Sequence, residues 1–109
     1  MEQVFRALAS PHRRALLDAL YERPGRTLGE LCAPLDMTRQ AVAKHLALLE
    51  QAELIVTRRE GREKLHYLNP VPLRRIHDRW LRKFDAETSD VLLRLKREVE
   101  RLNREDSDV

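Results

Sequence analysis

Apolar side chains recur at helical spacing through most of this chain, switch once to a strand-like pattern near its middle, and then resume helical spacing almost to the end. Val4, Phe5 and Leu8 share one helical face, and Ser10-Pro11 supplies an N-cap followed by proline at a first helical position. Two helices therefore meet at Ser10, occupying residues 1–23. The second carries Ala15, Leu16, Ala19 and Leu20 on one side, and Pro24-Gly25 closes it. Thr27 and Glu30 have the separation of a capping box, which predicts a third helix from Leu28, apolar at Leu31 and Cys32. Pro34 lacks an amide donor and predicts the end of that helix, with the turn at Pro34 to Met37. Thr38 then caps a fourth helix, Arg39 to Gln51, free of glycine and proline. Its apolar stripe is Val42, Leu46 and Leu49; Gln40, Lys44 and Ala47 lie opposite, flanked by Arg39 and Ala43.

Residues 27–51 thus read as a helix-turn-helix. Ile55 to Arg59 and Lys64 to Leu68 are β-type runs around the glycine-containing loop Glu60-Gly61-Arg62-Glu63, a two-stranded wing over residues 55–68. Asn69-Pro70-Val71-Pro72 breaks the second strand. No glycine or proline follows from Leu73 to Leu102, so one long helix is expected over residues 72–104. Its stripe, which includes Ile76, Trp80, Phe84, Val91 and Leu95, needs a partner surface. The fold class expected is mainly α with a small β-hairpin: a winged helix-turn-helix forming a single domain over 1–109, with a long C-terminal dimerisation helix.

Composition narrows this picture. The length of 109 residues suits one core, and five aromatics make that core small, so association is a plausible source of stability. Charged residues reach 36%, with 21 Lys and Arg against 18 Asp and Glu; the net charge of +3 suits a polyanionic partner only where the excess is concentrated. The single cysteine, Cys32, excludes an internal disulfide and fits a reducing cytoplasm. No apolar run approaches a membrane span, and the N-terminus lacks a basic segment followed by an apolar one, so the expected location is cytoplasmic with no membrane partner.

The exposed face of the fourth helix carries the chemistry. Gln40 has the donor–acceptor pair that matches adenine, Lys44 can donate to guanine or phosphate, and Ala43 is small enough for close approach to a base. Thr38 and Arg39 stand at the helix N-terminus, where a phosphate is well placed. In the wing, Arg58, Arg59 and Arg62 are candidates for backbone or minor-groove contact, Arg62 foremost because it adjoins Gly61. Double-stranded DNA is the expected partner. Winged helices also serve as protein-interaction modules on the same core, and that alternative stays open. No nucleophile–base pair, carboxylate pair or phosphate-binding glycine loop suggests an enzyme. His12, His45, His66 and His77 have no ligand spacing, so neither metal nor cofactor is expected; Cys32 reads as a buried structural thiol and His45 as a half-buried packing residue.

The segment TLGELCAPLDMTRQAVAKHLALLEQAELI, from Thr27 onward, resembles the helix-turn-helix of the ArsR-type winged-helix repressors, and VTRREGREKLHYL lies where their wing does. FRALASPHRRALLDAL is similar to that family's opening helices, so the likeness spans roughly residues 3 to 84. The resemblance implies a homodimeric repressor on a pseudo-palindromic operator, with Thr38, Arg39, Gln40, Ala43 and Lys44 at the family's DNA-facing positions. It further implies a dimer built by the first and last helices, here through Val4, Phe5, Leu8, Ile76, Trp80, Phe84, Val91 and Leu95. Metal-sensing members have a second cysteine where this chain has Pro34, or further ligands on the last helix where this chain has only His77-Asp78. The resemblance therefore runs to members without metal ligands, and it leaves the effector open.

Overall fold

The computed structural model describes the backbone of residues 1–107, and the side chains of all of these except 85–89 and 106–107. Its elements are α1 (Glu2–Leu8), α2 (Pro11–Glu22), α3 (Leu28–Leu35), α4 (Arg39–Gln51), β1 (Ile55–Glu60), β2 (Glu63–Leu68), α5 (Val71–Ile76), a π-helical turn at His77–Leu81, and α6 (Arg82–Ser107). The chain falls into two compact units, Met1–Leu73 and Arg74–Val109.

In the first unit the helix starts follow their side-chain chemistry. Ser10 Oγ accepts from Arg13 N at 3.3 Å and Thr38 Oγ1 accepts from Ala41 N at 3.1 Å, each satisfying one orphan amide. At Thr27 the capping box is complete: Glu30 N donates to the Thr27 hydroxyl, and Thr27 N donates back to the Glu30 carboxylate. The other end of α1 is closed from outside. Arg13 donates to the carbonyls of Arg6 and Ala7 at 2.9 and 2.8 Å, and Arg14 to that of Leu8 at 2.7 Å. Two arginines on α2 thereby satisfy three terminal carbonyls of a seven-residue helix too short to be stable alone.

Three-helix packing around α4 makes the core. Leu16 and Leu20 of α2, Leu31 of α3, Val42 and Leu49 of α4, and Leu54 and Ile55 beyond it are all fully buried. Burial of this kind contributes about 1.5–3 kcal/mol per large apolar side chain. β1 and β2 pair antiparallel from Ile55↔Leu68 to Glu60↔Glu63, and Gly61-Arg62 alone makes the turn. Gly61 has φ +63°, as the first central position of a tight hairpin requires. A third segment joins the wing at its base: Arg26 bridges to His66, with Gly25 N donating to His66 O at 2.8 Å and His66 N to Arg26 O at 2.9 Å.

Several sequence-based expectations change here. Pro34 does not stop α3, which runs through Leu35; the missing amide bond falls in the last turn, and Asp36 ends the helix in the left-handed conformation at φ 48°. The turn is accordingly Asp36-Met37 rather than Pro34 to Met37. Cys32 is half-buried, not buried. The long helix begins at Val71, where Asn69 Oδ1 accepts the first amide at 3.3 Å and Pro72 sits in the tolerant first turn. It is interrupted once, by the π-helical turn.

In the second unit, α6 is 26 residues long, about 39 Å at the usual helical rise. Arg101 pairs with Glu98 and with Glu105 along its polar side. Its large described apolar side chains, Phe84, Val91, Leu92, Leu93, Leu95, Val99 and Leu102, are all exposed. In the preceding π turn, Arg79 lies 5.1 Å from the centroid of the Trp80 ring, a cation–π contact.

Candidate nucleic-acid interface

α4 is held by its inner stripe, Val42, Leu46 and Leu49, against α1, α2, α3 and β1. Burying that stripe turns the other face outward, and Thr38, Arg39, Gln40, Ala43 and Lys44 are all exposed there. A free helix about 20 Å long matches what the major groove admits.

The wing meets this helix on one side. Arg39 at the start of α4, Arg59 and Lys64 on the hairpin and Arg62 at its tip line a cleft of about 500 Å³, floored by Thr27, Gly29 and His66. Only Glu63 opposes four cations there. Register explains the grouping: Arg59 lies directly opposite Lys64, so both side chains share a face, whereas Arg58 lies opposite Leu65 on the other. The structure thus brings Arg39, Arg59 and Arg62 together and leaves Arg58 outside the cleft.

Like charges directly opposite one another weaken a hairpin taken alone. Among the described residues, no ion pair uses Arg39, Arg58, Arg59 or Arg62. Lys64 is different: its Nζ lies 3.5 Å from Glu50 Oε2, and Thr57 Oγ1 donates to the other Glu50 oxygen at 3.4 Å. Glu50, at the end of α4, thereby tethers both wing strands to that helix. Nothing in the sequence singles it out, since its partners follow 7 and 14 residues later through a hairpin.

A second carboxylate, bonded to Thr27 of the cleft lining, is already engaged. Glu30 accepts from Thr27 and pairs with Arg23; the Thr27 backbone and hydroxyl, then Arg23 and Arg26, hold it below the usual carboxylate range. It therefore stays charged on its own partners.

His66 was expected only as a histidine without ligand spacing, yet it is buried at 5% exposure, its Nδ1 3.0 Å from Arg26 O. An Nδ1–H donor to that carbonyl makes it a structural strut of the wing. Among the described residues, no cluster of three or more His, Cys, Asp or Glu could hold a metal ion, and no helix is long and apolar enough to cross a membrane. Of the residues expected in a dimer interface, Val4 is buried within its own unit, Leu8 and Ile76 are half-buried, and Phe5, Trp80, Phe84, Val91 and Leu95 are exposed.

Comparison with known proteins bears on what such an arrangement is for. A helix-turn-helix domain family matches residues 8–58. The HTH-type transcriptional regulator YuzN of Bacillus subtilis is 38% identical over 86 residues, covering 73% of this chain and 94% of that protein. The transcriptional repressor SdpR of the same organism is 33% identical over 73 residues, covering 67% and 80%. A solved ArsR-like transcriptional regulator from Rhodococcus sp. RHA1 superposes with a TM-score of 0.69 at 30% identity, covering 91% of this chain and 89% of that one.

Proposed function

The chain belongs to the ArsR-type family of winged helix-turn-helix transcriptional regulators, and from that premise we propose that it is a homodimeric repressor binding a pseudo-palindromic DNA operator. The observation that carries this reading is the cluster of Arg39, Arg59 and Arg62, which form no ion pair among the described residues, beside the exposed face of α4. Gln40 and Lys44 read base edges in the major groove; Thr38, Arg39, Arg59 and Arg62 hold phosphates; Arg58, on the other face of the hairpin, contacts flanking backbone. Ala43 permits the close approach.

The second copy is bound through the exposed stripe of α6 with α1, so that two reading helices face successive turns of one duplex. The repressor sense rests on the likeness to SdpR, and obstruction of polymerase at the operator is its simplest mechanism. On this reading the protein works in the cytoplasm, where the DNA is, and carries out no catalysis, and it needs neither metal nor cofactor.

The test is to select duplexes from a random library and titrate the enriched sequence with salt. Affinity should fall steeply with salt as condensed counterions are released. Gln40→Ala should lose on the order of 1–3 kcal/mol at one base position and relax preference there. Arg62→Ala should instead weaken all sequences about equally and reduce the salt slope by about one unit. A flat salt dependence, or a folded Gln40→Ala protein with unchanged specificity, would replace this reading with a protein-interaction role for the same surface.

A further inference from the structure

Apolar packing presses α4 into the core but is not directional, so it leaves the roll of a reading helix to be fixed by something else. One polar contact on the inner side of α4 is suited to that. Arg13 Nη1 lies 3.3 Å from His45 Nδ1, while the same guanidinium donates through Nε to Ala7 O and through Nη2 to Arg6 O. Three elements, α1, α2 and α4, are thereby joined at one planar group with fixed donor directions.

The chemistry of the contact is one-sided. A guanidinium has donors and no acceptor, so Nδ1 must accept, which places the ring proton on Nε2 and leaves the imidazole neutral. A second proton would go onto Nδ1, directly against the Arg13 N–H. The surroundings oppose it as well. His45 is half-buried, the His12 ring stands 5.8 Å away, tilted by 34°, and Lys44 adjoins it on α4. Among the described residues, the charged groups acting on the ring are Arg13 and His12 from α2 and Lys44 from α4 itself, with no carboxylate.

We infer that Arg13 and His45 are a positioning pair for the reading helix, in which the guanidinium, anchored on the α1 carbonyls, sets the roll of α4 and does so only while the imidazole is neutral. The inference rests on the DNA-binding reading of α4 given above. Burial first, then Arg13, His12 and Lys44, hold His45 below the ordinary histidine range. The folded protein therefore binds this proton more weakly than the unfolded chain does. The pair's contribution is complete above the ordinary range and is lost as pH falls through the lowered value.

This gives DNA binding an acid limit with an unusual sign. At a protein–DNA contact without such a pair, acidification adds positive charge to the protein and tightens binding to phosphate. Here the wild-type protein should lose affinity several-fold between about pH 7.5 and pH 5.5 at constant ionic strength. The probe is the duplex enriched from a random library at the upper pH. His45→Asn, which keeps an uncharged acceptor near the Nδ1 position, should hold or gain affinity over the same range. Histidine ring titration by NMR gives an independent readout: His45 should titrate below the ordinary histidine value, and Arg13→Gln should raise it. Titration of His45 at or above that value, or identical acid responses of wild type and His45→Asn, would overturn the inference. If no duplex is enriched, the DNA-binding reading fails, and the ring titration still decides the pair.

Discussion

Two helices of this molecule carry apolar stripes at the same spacing and end in opposite situations. In α4, Val42 and Leu49 are 0% exposed and Leu46 4%; in α6, Val91, Leu95 and Val99 are 52–57% exposed. The residue types are nearly the same. Four elements of the first unit surround α4, whereas α6 shows its stripe to solvent along its described length. Periodicity identifies which face of a helix will be buried, and only the fold identifies what buries it. A stripe completed within the chain is core; one left open at this length marks a surface for a partner.

The largest effect should come from cutting the closed stripe. Leu46→Ala leaves a cavity in the buried stripe between Val42 and Leu49, and should destabilise the first unit by about 2–5 kcal/mol. Denaturant unfolding should show that loss at every protein concentration. Leu95→Ala on the open stripe should cost roughly 2 kcal/mol, and only in association. Sedimentation should show a weaker dimer while the unfolding midpoint of dilute protein stays in place. If Leu95→Ala lowered that midpoint as Leu46→Ala does, the contrast between the helices would be gone. The smallest change sharpens it from the polar side: Thr38→Ala removes the α4 cap and should cost about 1 kcal/mol in unfolding, without altering the inner stripe.

How much of this could be read from the sequence follows from the range of each interaction. The caps at Ser10, Thr27 and Thr38 are legible because cap and amide lie three residues apart. The buried stripe of α4 and the exposed positions of Gln40 and Lys44 are legible for the same reason, one face implying the other. Pro34 misleads because its missing amide removes one bond of the ladder without ending the helix at once, and α3 has only one residue beyond it. The burial of His66 and its pairing with Arg26, 40 residues away, are invisible locally, as are the Arg13–His45 contact across 32 residues and the tether through Glu50. The split of the basic residues between the two faces of the wing becomes clear only once the register is known, which puts Arg59 in the cleft and Arg58 out of it. No residue of HDRWL marks the π-helical turn.

The bridge between Arg26 and His66 gives the wing a stiffness gradient. At its base the hairpin has a third neighbour, with the Gly25 and His66 amides both engaged; at its tip it has only the turn Gly61-Arg62, with open space beside Gly61. Such a ribbon behaves as a cantilever, clamped at one end and compliant at the other. Amide hydrogens near the clamp should exchange slowly and those of the tip quickly. The charge best placed to follow an irregular backbone, Arg62, is thus carried at the free end of the beam, and the inner arginine, Arg59, sits nearer the clamp. On the proposed DNA-binding reading, one strand pair then supplies both a steady contact and an adaptable one.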